Sequence, residues 1–170
     1  LEPGMRVLEI GCGWGGFAKY AAENYGVSVH GITVSREQRD YAQKSCEGLE
    51  TSFELKDYRE LNAKYDSIVS IGMFEHVGYK NYRNYMEVAC RCLNNGGLFL
   101  LHTIGRNTPT RSTEPWINKY IFPNGMIPSP GQISKAVQGL FVIEDWHNFG
   151  QDYDPTLLAW NENFQNNFDS

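Results

Sequence analysis

No apolar run in these 170 residues approaches the roughly 20 that a membrane-spanning helix needs; stretches such as 98–101 are the longest. The start, Leu1-Glu2-Pro3-Gly4-Met5-Arg6, lacks the basic segment followed by an apolar one that marks a secretory signal, so an intracellular chain is expected. Basic runs are missing too. Fifteen Lys and Arg stand against 20 Asp and Glu, a net charge of −5, which repels a phosphate backbone and argues against nucleic acid as a partner. Cys12, Cys46, Cys90 and Cys92 form no Cys-x-x-Cys pair and have no His-x3-His companion, so reduced thiols are expected and no metal site. There are no repeats and no low-complexity tracts. What remains, 41% apolar and 21% charged, is the composition of a soluble globular domain. At this length folding can bury roughly 70% of the extended-chain surface, enough for a sizeable core.

Apolar runs of strand length recur at 5–10, 27–34, 67–71, 98–103 and 141–146, with a weaker one at 51–55. Segments of helical spacing lie between them: 17–25, closed by Gly26; 36–46, opened by a capping box of Ser35 and Gln38; and 82–93, closed by Asn94-Asn95-Gly96-Gly97. Such alternation predicts right-handed βαβ units and an α/β fold, a mostly parallel sheet with helices on both faces. The interval 106–131 breaks the rhythm. It carries five of the seven prolines together with Trp116, Tyr120 and Phe122, and disordered linkers are poor in aromatics. We read it as a functional insertion within one domain spanning 1–170.

The segment Val7-Leu8-Glu9-Ile10-Gly11-Cys12-Gly13-Trp14-Gly15-Gly16 is a strand running into a glycine loop that opens a helix. Gly11, Gly13 and Gly16 satisfy the dinucleotide spacing G-x-G-x-x-G, while Glu9, Gly11, Gly13 and Gly15 satisfy E-x-G-x-G-x-G. Glu9 discriminates between them. A carboxylate near the end of a buried parallel strand is costly unless it meets a cation or a donor. S-adenosylmethionine carries an ammonium group that meets this need at the carboxyl end of the sheet, and NAD does not.

These motifs, with the strand entry Tyr65-Asp66-Ser67-Ile68-Val69 and the turn Asn95-Gly96-Gly97, resemble those of class I S-adenosylmethionine-dependent methyltransferases. Further segments resemble the catalytic domain of the cyclopropane-fatty-acyl-phospholipid synthase family. They are Gly72-Met73-Phe74-Glu75-His76-Val77-Gly78, Leu101-His102-Thr103-Ile104-Gly105, the run 115–123 from Pro115 to Pro123, and Asp145-Trp146-His147-Asn148-Phe149-Gly150. The resemblance covers nearly the whole chain in order. Thr33 stands where many methyltransferases have an acid for the ribose hydroxyls, which suits this family's Gly31-Ile32-Thr33-Val34-Ser35 followed by Gln38.

The resemblance implies a Rossmann-like methyltransferase core that transfers methylene from S-adenosylmethionine to the cis double bond of unsaturated phospholipid acyl chains. Methyl transfer to an alkene leaves a carbocation that must lose a proton as the ring closes, so the site needs a base and cation-tolerant walls, which aromatic faces provide. The family's base is a bicarbonate ion. By resemblance it is held by Glu75, His102, Tyr153 and the backbone of Ile104, with His76 lining the site and a further cysteine ligand lying before Leu1. The donor types complement one another: a carboxylate accepts the bicarbonate hydroxyl proton, while His102 and Tyr153 donate to its oxygens. The resemblance sets Gly11 and Gly13 against the methionine part, Thr33 and Gln38 near the ribose, and Asp57 with Tyr58 at the adenine. His30 and His147 are read as structural.

The partners so implied are acyl chains at a membrane surface, met at the cytoplasmic inner face by an enzyme that associates as a homodimer. Two alternatives stand beside this reading. A small-molecule N-methyltransferase, as in some plant alkaloid enzymes that share the Phe74-Glu75-His76 neighbourhood, would use Glu75 and His76 on an amine; a catalytically silent binding module would need neither. His102, Ile104 and Tyr153 together disfavour the first, and intact Glu75 the second. Leu157, Trp160, Phe164 and Phe168 recur at helical spacing at the end, and no seventh strand follows. The expectation is a catalytic fragment. In it 98–101 either keeps an unpaired edge, inviting self-association, or pairs directly with the sixth strand at 141–146.

Overall fold

A computed structural model describes residues 1–168. Five strands, β1 (Arg6–Ile10), β2 (Ser28–Thr33), β3 (Thr51–Leu55), β4 (Tyr65–Ile71) and β5 (Leu93–His102), form one sheet in the order β3-β2-β1-β4-β5, parallel throughout. The helices α1 (Gly16–Tyr25), α2 (Arg36–Ser45) and α3 (Tyr82–Cys92) are the crossovers. This is the α/β architecture expected from the alternation, including the weak strand at 51–55.

β1 sits at the centre and is covered on both faces, which is why it reads as a continuous apolar run. Leu8 and Ile10 pack with Ile68 of β4 and with Tyr85, Met86 and Ala89 of α3. Val7 and Val69 face α1, where Ala18 and Ala21 present only methyl groups and let the helix approach closely. Each fully buried aliphatic side chain contributes about 1.5–3 kcal/mol.

The β4–β5 register slips between Tyr65↔Leu93 and Ser67↔Leu98, so the expected turn at 94–97 is a bulge inside β5. A Cβ on Gly97 would lie 2.5 Å from the carbonyl oxygen of Asp66, so that position excludes every other residue. The capping box of α2 is only half formed. Ser35 Oγ accepts from the Gln38 N–H (3.2 Å), but the Gln38 side chain turns to Thr33, whose hydroxyl donates to it (2.8 Å).

The expected strand at 141–146 does not form. That segment has no regular structure, with Val142, Ile143 and Trp146 exposed; Phe141 at its start contacts the Phe99 ring (5.6 Å), and Phe149, three residues past its end, stacks on His102 (5.4 Å). Apolar content alone does not make a strand: this segment meets β5 through the Phe141–Phe99 ring contact without pairing with its edge. β5 is therefore an edge, with Leu98 67% and Leu100 54% exposed. Three further helices follow: α4 (Pro115–Tyr120), α5 (Pro130–Val137), whose Ser129–Gln132 capping box is complete, and α6 (Tyr153–Asn166). The insertion read as 106–131 thus contains a helix, and its last two residues open α5. The terminal helix is present, but none of its side chains is buried. Among the described residues no helix is long and apolar enough to cross a membrane.

Candidate active site at the carboxyl end of the sheet

The loop after β1 is bent by glycines in the left-handed region. The N–H groups of Gly11 (φ +82°) and Cys12 donate to the Ile32 carbonyl at 3.0 and 2.9 Å, closing the loop against β2. A Cβ on Gly11 would lie 2.6 Å from Met73 Cγ, whereas one on Gly13 would meet nothing within 4 Å. The loop therefore presents bare backbone to open space, a cradle suited to a ligand that must come close.

Glu9, at the end of β1, is 4% exposed. No side chain caps α1, and the Glu9 carboxylate takes one of its orphan donors, the Ala18 N–H. Burial nonetheless pushes the Glu9 carboxyl up to about 8, and its Oε2 has no partner. The donor that the sequence demanded for this carboxylate is thus half supplied by the protein, and one buried oxygen is left for a ligand cation.

Thr33 is buried at the end of β2, and its hydroxyl links the Ser35 N–H (3.2 Å) to the side chain of half-buried Gln38. Asp57 is less free than expected. It accepts from the Arg59 backbone N–H (2.9 Å) and from the guanidinium at 2.9 and 2.6 Å, bonds that hold its carboxyl below the usual range. An adenine amino group would share this acceptor with Arg59. The ring of Tyr58 packs edge-on against Tyr85 at 4.9 Å.

Beyond β4, a 3-10 turn (Phe74–His76) carries Glu75. Its Oε1 accepts from the Ile104 N–H at 2.7 Å, just past β5, and the Gly72 N–H donates to the His102 carbonyl at 3.1 Å. Glu75 Oε2 and His102 Nδ1 are both buried without a partner. The sheet thus brings Glu75, His102 and Ile104 together. It also pairs two groups expected to grip the base with each other, since the Ile104 N–H is taken by Glu75. Tyr153 is not brought in: it opens α6, 37% exposed, and makes no hydrogen bond or ring contact with Glu75 or His102. His76 is exposed, edge-on to Phe122 at 6.2 Å. Among the described residues no group of His, Cys, Asp and Glu is placed to hold a metal ion.

Sequence reasoning missed Arg59, Phe149, Met126 and Tyr82. Arg59 two positions after Asp57 was a readable signal, because an acid at a turn captures a nearby guanidinium. Phe149 lies in the quoted segment Asp145-Trp146-His147-Asn148-Phe149-Gly150 but was given no role, and no local pattern marks the contacts of Met126 and Tyr82.

The strand order, the glycine loop after β1 and the acid after β4 define a class I S-adenosylmethionine-dependent methyltransferase fold. Residues 1–170 match the family model for mycolic acid cyclopropane synthetase, and the chain belongs to that family. It is 60% identical over 164 residues to the cyclopropane-fatty-acyl-phospholipid synthase of Escherichia coli K12, covering 96% of this chain and 43% of that protein. The mycolic acid cyclopropane synthase CmaA1 complexed with SAH and CTAB superposes with a TM-score of 0.90 at 31% identity, over 99% of this chain and 66% of that one. The cyclopropane synthase MmaA2 from Mycobacterium tuberculosis gives 0.87 at 31% identity, over 98% and 65%. The chain spans less than half the length of its E. coli relative.

Proposed function

We propose that this chain is the catalytic core of an enzyme that transfers a methylene group from S-adenosylmethionine to cis double bonds of unsaturated phospholipid acyl chains. One observation carries the reading: two buried polar atoms without partners, Glu75 Oε2 and His102 Nδ1, lie at the carboxyl end of the sheet with the Ile104 N–H beside them. A carboxylate acceptor and an imidazole donor fit a small oxyanion bearing one hydroxyl, which is the chemistry of bicarbonate. When bound, S-adenosylmethionine supplies the electrophilic methyl and bicarbonate the base that accepts its proton.

This chain's own residues hold and orient. Gly11 and Gly13 keep the loop backbone open to the methionine part, and Glu9 offers its unpartnered oxygen to the ammonium. Thr33 and Gln38 line the ribose, Asp57 and Tyr58 the adenine. Glu75 and His102 would anchor the base, with the Ile104 N–H beside them, and His76 lines the approach. Tyr153, at the start of α6, is the further hydroxyl donor this reading assigns to the base.

The insertion fits a lipid surface. Trp116, Tyr120 and Phe122 are each more than half exposed, and residues 106–131 carry Arg106, Arg111 and Lys119 against a single acid, Glu114, in a chain of net charge −5. Exposed amphipathic aromatics beside local positive charge favour the interface of an anionic bilayer and support a peripheral enzyme acting at the inner face of the membrane. The open edge of β5 favours association between copies.

Mass spectrometry of lipids from cells expressing the complete natural protein tests the reading. Monounsaturated chains should gain the mass of one CH2, and Glu75→Gln should abolish the gain while leaving SAH affinity, by calorimetric titration, within about threefold. Methylation of an amine with unchanged lipids would instead establish the N-methyltransferase alternative.

A further inference from the structure

Glu75 is held from three directions, and only one of them is its own carboxylate bond to Ile104. Its backbone carbonyl accepts from the Met126 N–H at 2.7 Å, although Met126 lies 51 positions further on. The Met126 carbonyl in turn accepts from the Tyr82 hydroxyl at 3.3 Å. The Tyr82 ring stacks on Phe74, the residue before Glu75, with centroids 4.2 Å apart and planes at 23°. Tyr82 is 3% exposed and belongs to the first turn of α3, so it is fixed by the core itself. One side chain therefore grips the Glu75 peptide on both sides.

We propose that Tyr82 is a positioning residue for Glu75, acting through Phe74 by its ring and through Met126 by its hydroxyl. A 3-10 turn of three residues has little rigidity of its own, and a carboxylate that must hold a base needs a fixed peptide beneath it. Burial and the negative charge of Glu75 push the Tyr82 hydroxyl up to about 12, so it stays a donor at any working pH. The same bonds tie the insertion to Glu75: Met126 belongs to 106–131, and the Thr113 hydroxyl donates to the neighbouring Gly125 carbonyl. Movement of the lipid-facing segment would thus reach the Glu75 peptide directly.

The inference rests on the proposed role of Glu75, and the test separates the two. In the complete natural protein, Tyr82→Phe removes the hydroxyl and keeps the stacked ring. Ring-forming kcat is expected to fall at least about tenfold, because small misplacements of a reacting group cost one to two orders of magnitude. The bicarbonate concentration giving half-maximal rate should rise. SAH affinity should stay within about twofold, and the melting temperature within about 5 °C, as for the loss of one hydrogen bond. Tyr85→Phe is the control. It removes another buried hydroxyl of α3, one that donates to Ser70 Oγ at 2.7 Å and does not touch Met126, so it should lower the melting temperature with kcat kept within about twofold. Undiminished kcat in Tyr82→Phe, equal losses in both variants, or loss of SAH affinity in proportion to rate would overturn the proposal. A wild-type protein without ring-forming activity would overturn the assignment of Glu75 as well.

Discussion

Residues up to His102 and residues after it are built by different rules. In the first part Val7, Leu8, Ile10, Ile68, Tyr85 and Met86 are shut off from solvent, and each strand has a neighbour on at least one side. In the second, burial concentrates at Pro128, Ser129, Ile133 and Ala136, where α5 docks on α3, while Trp116, Phe122, Trp146, Trp160 and Phe164 lie open. Both parts are rich in apolar residues, so apolar content does not separate them. Partnering does. The first part, where side chains are shut off from solvent, carries the groups that must be held still.

The contrast is broken most severely at the joint between the two parts. Phe74→Ala should cost about 3–5 kcal/mol in unfolding free energy, because the ring is fully buried against Tyr82 and Tyr85; denaturant titration reads this. Glu9 comes next, through pH. Folded and free of ligand, it is neutral up to about 8, whereas unfolded it ionises near 4.5, so between these values the folded state holds the extra proton and stability falls as pH rises. Glu9→Gln should remove that fall, leaving the variant more stable than the wild type at pH 8 and weaker for SAH, by melting curves across pH and calorimetry. A wild-type profile as flat as the variant's would exclude the buried neutral carboxyl.

Smaller effects test the open part. Leu98→Lys together with Leu100→Lys tests the proposed association through β5: sedimentation velocity should shift toward the monomer with little change in unfolding free energy, since both side chains are already solvent-facing. Trp116→Ala and Phe122→Ala should lower co-sedimentation with anionic liposomes severalfold and leave stability within about 0.5 kcal/mol. Trp160→Ala on α6 should change stability least, because that helix buries nothing among the described residues. A large loss there would mean that α6 is packed in solution.

Much of the rigid part was legible along the chain. The strand runs, the glycine loop and the Ser35 cap are local signals whose physical cause lies within a few residues. Glu75 and His102 were legible through motifs at strand ends, where an open α/β sheet places ligands. The strand expected at 141–146 failed because pairing is not a local property: Phe141 anchors the segment to Phe99 while Val142, Ile143 and Trp146 stay exposed beside an unpaired β5 edge. Asp57, set at the adenine by resemblance, has Arg59 as its partner in the fold, which its position after the third strand did not reveal. Tyr153 stays a motif residue without contacts at the site.

The sequence alone determined the class of the sheet, the carboxyl end as the place for chemistry and the identity of its ionisable groups, because periodicity, glycine conformation and side-chain type are written residue by residue. Only the tertiary structure decided who partners whom: that Glu75 takes the Ile104 N–H, that Ala18 meets Glu9, that Tyr82 reaches Met126, and that β5 keeps an open edge. Hydrogen bonds and ring stacks depend on distances of a few ångströms between segments tens of residues apart, and those distances exist only once the core has closed.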